Sequence, residues 1–162
     1  MPGAGDRGDQ RRLRRGGLEL ALSCDIRIAS PSAIFICAGV NVGLMASTYS
    51  LPRLIGLGPA KAMLLTGLPF NTATAQHWGL VTAVHDEDRL LDEALLLARR
   101  IASRAPLSVE ASKRVADAAL AMTAEQAAAM VAGELPKLHA SEDHREGVRA
   151  FVERRDPVFL RR

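Results

Sequence analysis

Residues 87–153 carry helical patterning with hardly a break, and this constrains the chain more than any other feature. Four amphipathic segments in a row must hide their apolar stripes against one another or against a further surface. The spacing predicts helices over residues 87–103, 107–120, 124–138 and 141–153. In the first, Leu90, Leu91, Ala94, Leu95, Ala98 and Ile101 recur at helical spacing and predict one buried face. Capping residues support the boundaries. Pro106 suits a first helical turn, Thr123 with Gln126 forms a capping-box pattern, and Ser141 precedes the first-turn acids Glu142 and Asp143.

Upstream the pattern is mixed. Gly16-Gly17 reads as a turn feeding a short buried helix at Leu18-Glu19-Leu20-Ala21-Leu22. Strand-like alternation follows at residues 25–29, with a second short strand near 33–36. Residues 39–51 are rich in glycine, serine and small side chains, as suits a loop approaching a ligand. Helices are expected at 59–65 and 73–78, and an edge strand at 81–84. Aromatic residues make up 4% of the chain against a hydrophobic fraction of 48%, which favours packed helices over a β-sandwich. The expectation is an α/β protein with three parts: an Arg-rich tail at 1–15, a mixed core at 16–86 and a helical region at 87–162. No fixed-period repeat points to a solenoid.

Charge and composition narrow the function classes. The net charge of +3 sits entirely in residues 1–16, where five arginines face Asp6 and Asp9. No aromatic residue stands among them to stack on bases, so we read a solvated tail and expect neither a nucleic-acid nor a membrane partner. No apolar run approaches the length of a bilayer-spanning helix. Cys24 and Cys37 suit a reducing compartment, with the cytoplasm as the expected location. His139 and His144 flank Glu142-Asp143, but a gap of five on one helix would not bring both imidazoles to one face, so no metal is expected. Trp78, beside Gly79, reads as a packing residue.

The segment Gly16-Gly17-Leu18-Glu19-Leu20-Ala21-Leu22-Ser23-Cys24-Asp25-Ile26-Arg27-Ile28-Ala29 resembles the signature of the crotonase superfamily, the enoyl-CoA hydratases and isomerases. The resemblance continues in order through Leu51-Pro52-Arg53-Leu54-Ile55-Gly56, Leu64-Leu65-Thr66-Gly67, Gly79-Leu80-Val81, Ala105-Pro106-Leu107 and the stretch from Glu146 to Arg155. It covers the C-terminal half of the family. It implies a truncated β-β-α spiral followed by a helical trimerisation region, and acyl-CoA thioester chemistry passing through an enolate. It implies a homo-trimer or hexamer and no cofactor beyond the coenzyme A carried by the substrate. Gly16 matches the glycine whose N–H stabilises the thioester oxyanion, and Glu19 the first catalytic carboxylate. Substrate-binding positions are implied at Gly17, Gly39, Met45, Phe151 and Arg154.

Three departures matter. The family's second catalytic glutamate aligns with Gly39, and its glycine-rich loop is shortened here to Gly43-Leu44-Met45-Ala46-Ser47-Thr48-Tyr49-Ser50. Asn41, Ser47, Thr48 and Tyr49 offer polar groups nearby, read as loop hydrogen bonders. The family's N-terminal half, which supplies the other oxyanion donor and most of the coenzyme A cradle, has no counterpart in the resemblance. Back-translating Ala4 to Arg12 with GC-favouring codons and reading one base later gives Pro-Val-Ile-Ala-Ala-Ile-Asn-Gly, which resembles the family's buried strand ahead of the glycine motif. We therefore expect the tail to be that strand translated out of frame, an idea that sequencing the coding DNA checks directly. Two functions follow as expectations: a weakened acyl-CoA hydratase or isomerase, or a non-catalytic subunit that oligomerises or completes a separate N-terminal half chain. A polyanion-binding Arg tail is the third.

Overall fold

The computed structural model describes residues 17–162. The Arg-rich tail, the out-of-frame strand and Gly16 lie outside the described residues. The chain divides into two compact units, one ending at Ala94 and the other spanning Leu95–Arg162.

The first unit begins with α1 (residues 17–22) and continues through β1 (Ile28–Ala29), β2 (Ile34–Ile36), a 3-10 turn (Val40–Val42), α2 (Ser50–Ile55) and α3 (Leu57–Thr66). It closes with β3 (Pro69–Asn71), α4 (Thr72–His77) and β4 (Ala83–Val84) before α5 (Leu90–Ala102) begins. β1 and β4 run parallel, with Ile28 opposite Ala83 and Ala29 opposite Val84. β2 and β3 run antiparallel, with Phe35 opposite Phe70. Sequence alternation finds β1, β2 and β4 but misses β3, because a three-residue strand starting on Pro69 shows no period of its own. Its partner β2 defines it.

The core of this unit gathers Leu22, Ala29, Cys37, Leu51, Ile55, Ala60, Met63, Ala75, Leu80 and Val81. Leu51, Met63 and Leu80 are fully buried, each contributing about 1.5–3 kcal/mol of transfer free energy. Arg27 is buried with them and is satisfied by main chain: its guanidinium donates to the carbonyls of Leu80, 2.8 Å away, and Cys24. Thr82 answers by donating both its N–H and its hydroxyl to the Arg27 carbonyl at 2.9 Å. One arginine therefore ties the end of α1 to the start of β4. Gly56, at φ +78 and ψ 164, is the single residue between α2 and α3, a backbone conformation that glycine alone adopts readily.

The second unit contains the remainder of α5 with α6 (Pro106–Ala119), α7 (Ala124–Ala140) and α8 (Glu142–Glu153). The capping box of Thr123 and Gln126 forms as the sequence predicts, and Pro106 opens α6. Ser141 alone separates α7 from α8; its hydroxyl donates to Leu138 at 2.7 Å and accepts from the His144 N–H at 3.0 Å. This break corrects the reading of the histidine pair. His139 and His144 stand on two helices rather than one, and their rings lie 5.2 Å apart. No group of three or more potential metal ligands accompanies them among the described residues.

The buried face expected on α5 is not buried. Leu91 is 69% exposed, Leu90 and Ala94 are only half-buried, and no residue of the helix is fully buried. The chain after α8 folds back along α8 itself. Asp143, itself buried, accepts from the N–H groups of Leu160 (2.7 Å) and Arg161 (2.9 Å), and its own N–H donates to the Arg162 carbonyl at 2.9 Å. Glu146 accepts from the Val158 N–H at 3.1 Å and receives the Arg155 guanidinium on both oxygens. Among the described residues no helix is long and apolar enough to cross a membrane.

Candidate active site

Glu19 lies on the exposed side of α1, one turn into the helix, while Leu22 on the same helix anchors to the core. Between β2 and α2 the chain closes a compact loop opposite it. The Gly39 carbonyl accepts from the N–H groups of Val42 (3.1 Å) and Leu44 (2.9 Å), and the Cys37 thiol lies 3.4 Å from the Ala46 carbonyl. Together they enclose a cavity of about 190 Å³. Its walls are Leu18, Ile36, Ala38, Val42, Leu44, Met45 and Ala46, with Glu19, Cys37, Gly39 and Ser47 completing it. A small apolar chamber with one carboxylate at its edge results.

Gly39 is held where only glycine fits. A Cβ there would come within 2.8 Å of the Leu44 carbonyl oxygen, 3.0 Å of the Ala46 nitrogen and 3.1 Å of the Met45 carbonyl carbon. These are main-chain atoms of a hydrogen-bonded loop, which cannot swing aside as a flexible side chain would. A second carboxylate at this position is thus sterically excluded from the loop as it stands.

Of the four polar groups noted near position 39, only Ser47 lines the cavity, and its hydroxyl donates to Oε1 of Glu19. Asn41 instead donates to the Gly67 carbonyl at 2.9 Å, and Tyr49 lies under the Arg53 guanidinium at 3.6 Å. Ser47 has φ +59, a conformation unusual for a residue other than glycine, and such a residue costs on the order of 1–3 kcal/mol. Sequence pattern does not single it out, because a serine in a small-residue loop carries no periodic signal. Burial pushes the Cys37 thiol above its ordinary range; a hydrogen bond with Ser47 works against this and the Glu19 charge adds to it. Cys37 therefore remains a thiol at neutral pH and is no ready nucleophile.

The positions implied by the sequence are shared between the two units. Glu19, Gly39 and Met45 line one cavity, with Met45 85% exposed. Gly17 is exposed on α1 with open space where its Cβ would be. Phe151, on α8, and Arg154, its left-handed C-cap, belong to the second unit and are exposed. A larger cavity of about 350 Å³ lies along α8, lined by Glu142, Asp143, Glu146, Arg149, Val158 and Leu160, among others. All three of its acids already hold the tail: Glu142 pairs with Arg162, Glu146 with Arg155 and Asp143 with two tail amides. It is the seat of the chain's own C-terminus rather than a site for chemistry.

Comparison with known proteins adds to this geometry. The sequence pattern described as enoyl-CoA hydratase/isomerase matches residues 14–162. The (E)-benzylidenesuccinyl-CoA hydratase of Thauera aromatica is 42% identical over 147 residues, covering 89% of this chain and 57% of that protein. The crotonyl-CoA hydratase of Syntrophomonas wolfei is 36% identical over 148 residues, with 90% and 57% covered. A crystal structure of enoyl-CoA hydratase from Bacillus anthracis superposes with a TM-score of 0.88 at 31% identity, covering 91% of this chain and 58% of that one. The chain thus spans somewhat over half the length of the relatives it matches.

Proposed function

Because the chain belongs to the enoyl-CoA hydratase/isomerase family, within the crotonase superfamily, we propose that it takes acyl-CoA thioesters and moves a proton next to the thioester carbonyl through an enolate. The observation that carries this reading is the single carboxylate of Glu19 at the edge of a mostly apolar cavity. In this reading the Gly16 N–H steadies the charge that develops on the thioester oxygen, and Glu19 is the acid or base. Met45 and Gly39 shape the acyl pocket, while Gly17, Phe151 and Arg154 contact the substrate.

Syn hydration uses two carboxylates to hold and activate one water. Position 39 has neither a carboxylate nor room for one, and a missing general acid or base typically costs about 10²–10⁴-fold. The one-carboxylate site is better suited to removing a proton from one carbon of the acyl chain and returning it to another, as an isomerase does, than to adding water. Hydration by this chain is accordingly slow. The test is turnover of a short and a long trans-enoyl-CoA by the purified chain, alongside double-bond migration in a 3-enoyl-CoA, with Glu19→Gln as control. Activity lost in Glu19→Gln supports the proposal; activity unchanged in that variant, or no saturable binding of any of the three thioesters, overturns it.

A second reading, a non-catalytic subunit that forms trimers or completes a partner chain, is favoured by the apolar side chains left uncovered on α5 and α8. Leu91, Phe151 and Val152 are each more than two-thirds exposed. Sedimentation that gives a stable trimer without any response to acyl-CoA supports that reading over the first.

A further inference from the structure

Among the side chains lining the Glu19 cavity, the groups able to hold a proton or a hydrogen bond are Glu19, Ser47 and the Cys37 thiol. Cys37 is buried and already directed at the Ala46 carbonyl. Ser47 is directed at the carboxylate, and its hydroxyl joins two parts of the chain 28 residues apart. The backbone conformation at Ser47 makes this contact informative. At φ +59 glycine would be the default and asparagine the tolerated alternative, so a serine persists there against its backbone preference. An outlier of this kind, beside a cavity and with its side chain at the Glu19 carboxylate and the Cys37 thiol, argues for a role of the side chain. The loop also fixes the hydroxyl firmly. The Ser47 carbonyl accepts from the Leu51 N–H at 3.1 Å at the start of α2, and the preceding residue, Ala46, is packed against Gly39.

We propose that Ser47 is the positioning residue of the Glu19 carboxylate: its hydroxyl holds Oε1 and leaves the other carboxylate oxygen to meet the substrate. The proposal relies on the acyl-CoA reading for what the carboxylate does, and on the geometry alone for how it is held. A carboxylate on the first turns of an exposed helix samples several rotamers, and fixing one of them converts a solvated acid into an aimed one. With position 39 closed to a second carboxylate, Ser47 is the cavity residue placed to do this.

Two variants separate a positioning role from a structural one. Ser47→Gly removes the hydroxyl and relieves the backbone, while Ser47→Asn restores a side-chain donor at a φ that asparagine tolerates. We expect Ser47→Gly to be at least as heat-stable as the wild type, with kcat lower by about 10- to 100-fold at unchanged KM and partial recovery in Ser47→Asn. The second measurement needs no turnover. The Glu19 carboxyl carbon resonance, identified by its absence in Glu19→Gln, should move in Ser47→Gly and return partway in Ser47→Asn. A resonance that Ser47→Gly leaves in place, or an unchanged kcat in an active enzyme, overturns the positioning role. If the wild type turns over no thioester but the resonance still moves, the functional reading fails and Ser47 as the holder of Glu19 stands.

Discussion

Replacing Gly39 by alanine adds one methyl group at the point where the cavity loop closes. Two effects compete. Gly39 has φ −54 and ψ −51, an ordinary right-handed conformation, so alanine would stiffen the unfolded chain and stabilise the protein by about 0.4–1 kcal/mol if space allowed. Space does not allow it, because the new carbon would stand 2.8–3.1 Å from three main-chain atoms of Leu44, Met45 and Ala46. Those atoms must give by several tenths of an ångström, stretching the bonds to the Gly39 carbonyl, and overpacking of this kind costs about 1–3 kcal/mol. The steric effect wins, for a net loss of about 1–2 kcal/mol. In a chain of this size that lowers Tm by about 2–8 °C. The local assay is thiol labelling. Cys37 is buried beneath the same loop and Cys24 is exposed, so the wild type should label quickly at one cysteine and slowly at the other, and Gly39→Ala should speed the slow phase. A variant that melts at or above the wild-type temperature with Cys37 still protected would refute the steric argument.

Other predictions concern the same loop and the C-terminal seat. Gly39→Glu, which restores the carboxylate in composition, should not raise enoyl-CoA hydration, since the same Cβ contacts open the loop first; a gain in kcat would show that the loop adapts. Asp143→Ala removes two charge-assisted bonds to the tail amides of Leu160 and Arg161, and should lower stability to denaturant by about 2–4 kcal/mol while hydrogen exchange at those amides accelerates. A loss below about 0.5 kcal/mol would remove Asp143 as the clamp. Glu146 is lowered from 4.5 to about 2, chiefly by its hydrogen bonds with Arg155. Its contribution is therefore complete above pH 4.5 and fades as the pH falls toward 2, so the Val158 amide should lose exchange protection across that window and stay constant between pH 5 and 8. Protection that instead changes near neutrality would point to a different group.

The α/β class, the helices of the second unit and the family were legible from residue order, because caps and helical spacing act over a few residues and the signature segment is local. Thr123 and Ser141 begin or end helices through bonds to neighbours three positions away, and Pro106 begins one through the φ its ring fixes, all of which a linear reading captures. Glu19 was singled out by its place in that same local segment. What the sequence could not supply were facts that depend on residues far apart in the chain. β3 exists because β2 lies beside it, and Ser47 matters because folding brings it to Glu19. His139 and His144 meet because one serine splits two helices, and Asp143 grips the C-terminus rather than merely favouring its own helix start. The α5 stripe shows the converse: periodicity fixed which side chains share a face, but burial depends on what covers that face. Local sequence sets backbone conformation and side-chain direction; only the tertiary fold decides which distant groups those directions bring within hydrogen-bonding distance, and so left Gly39 without room for a carboxylate and Glu19 in the grasp of Ser47.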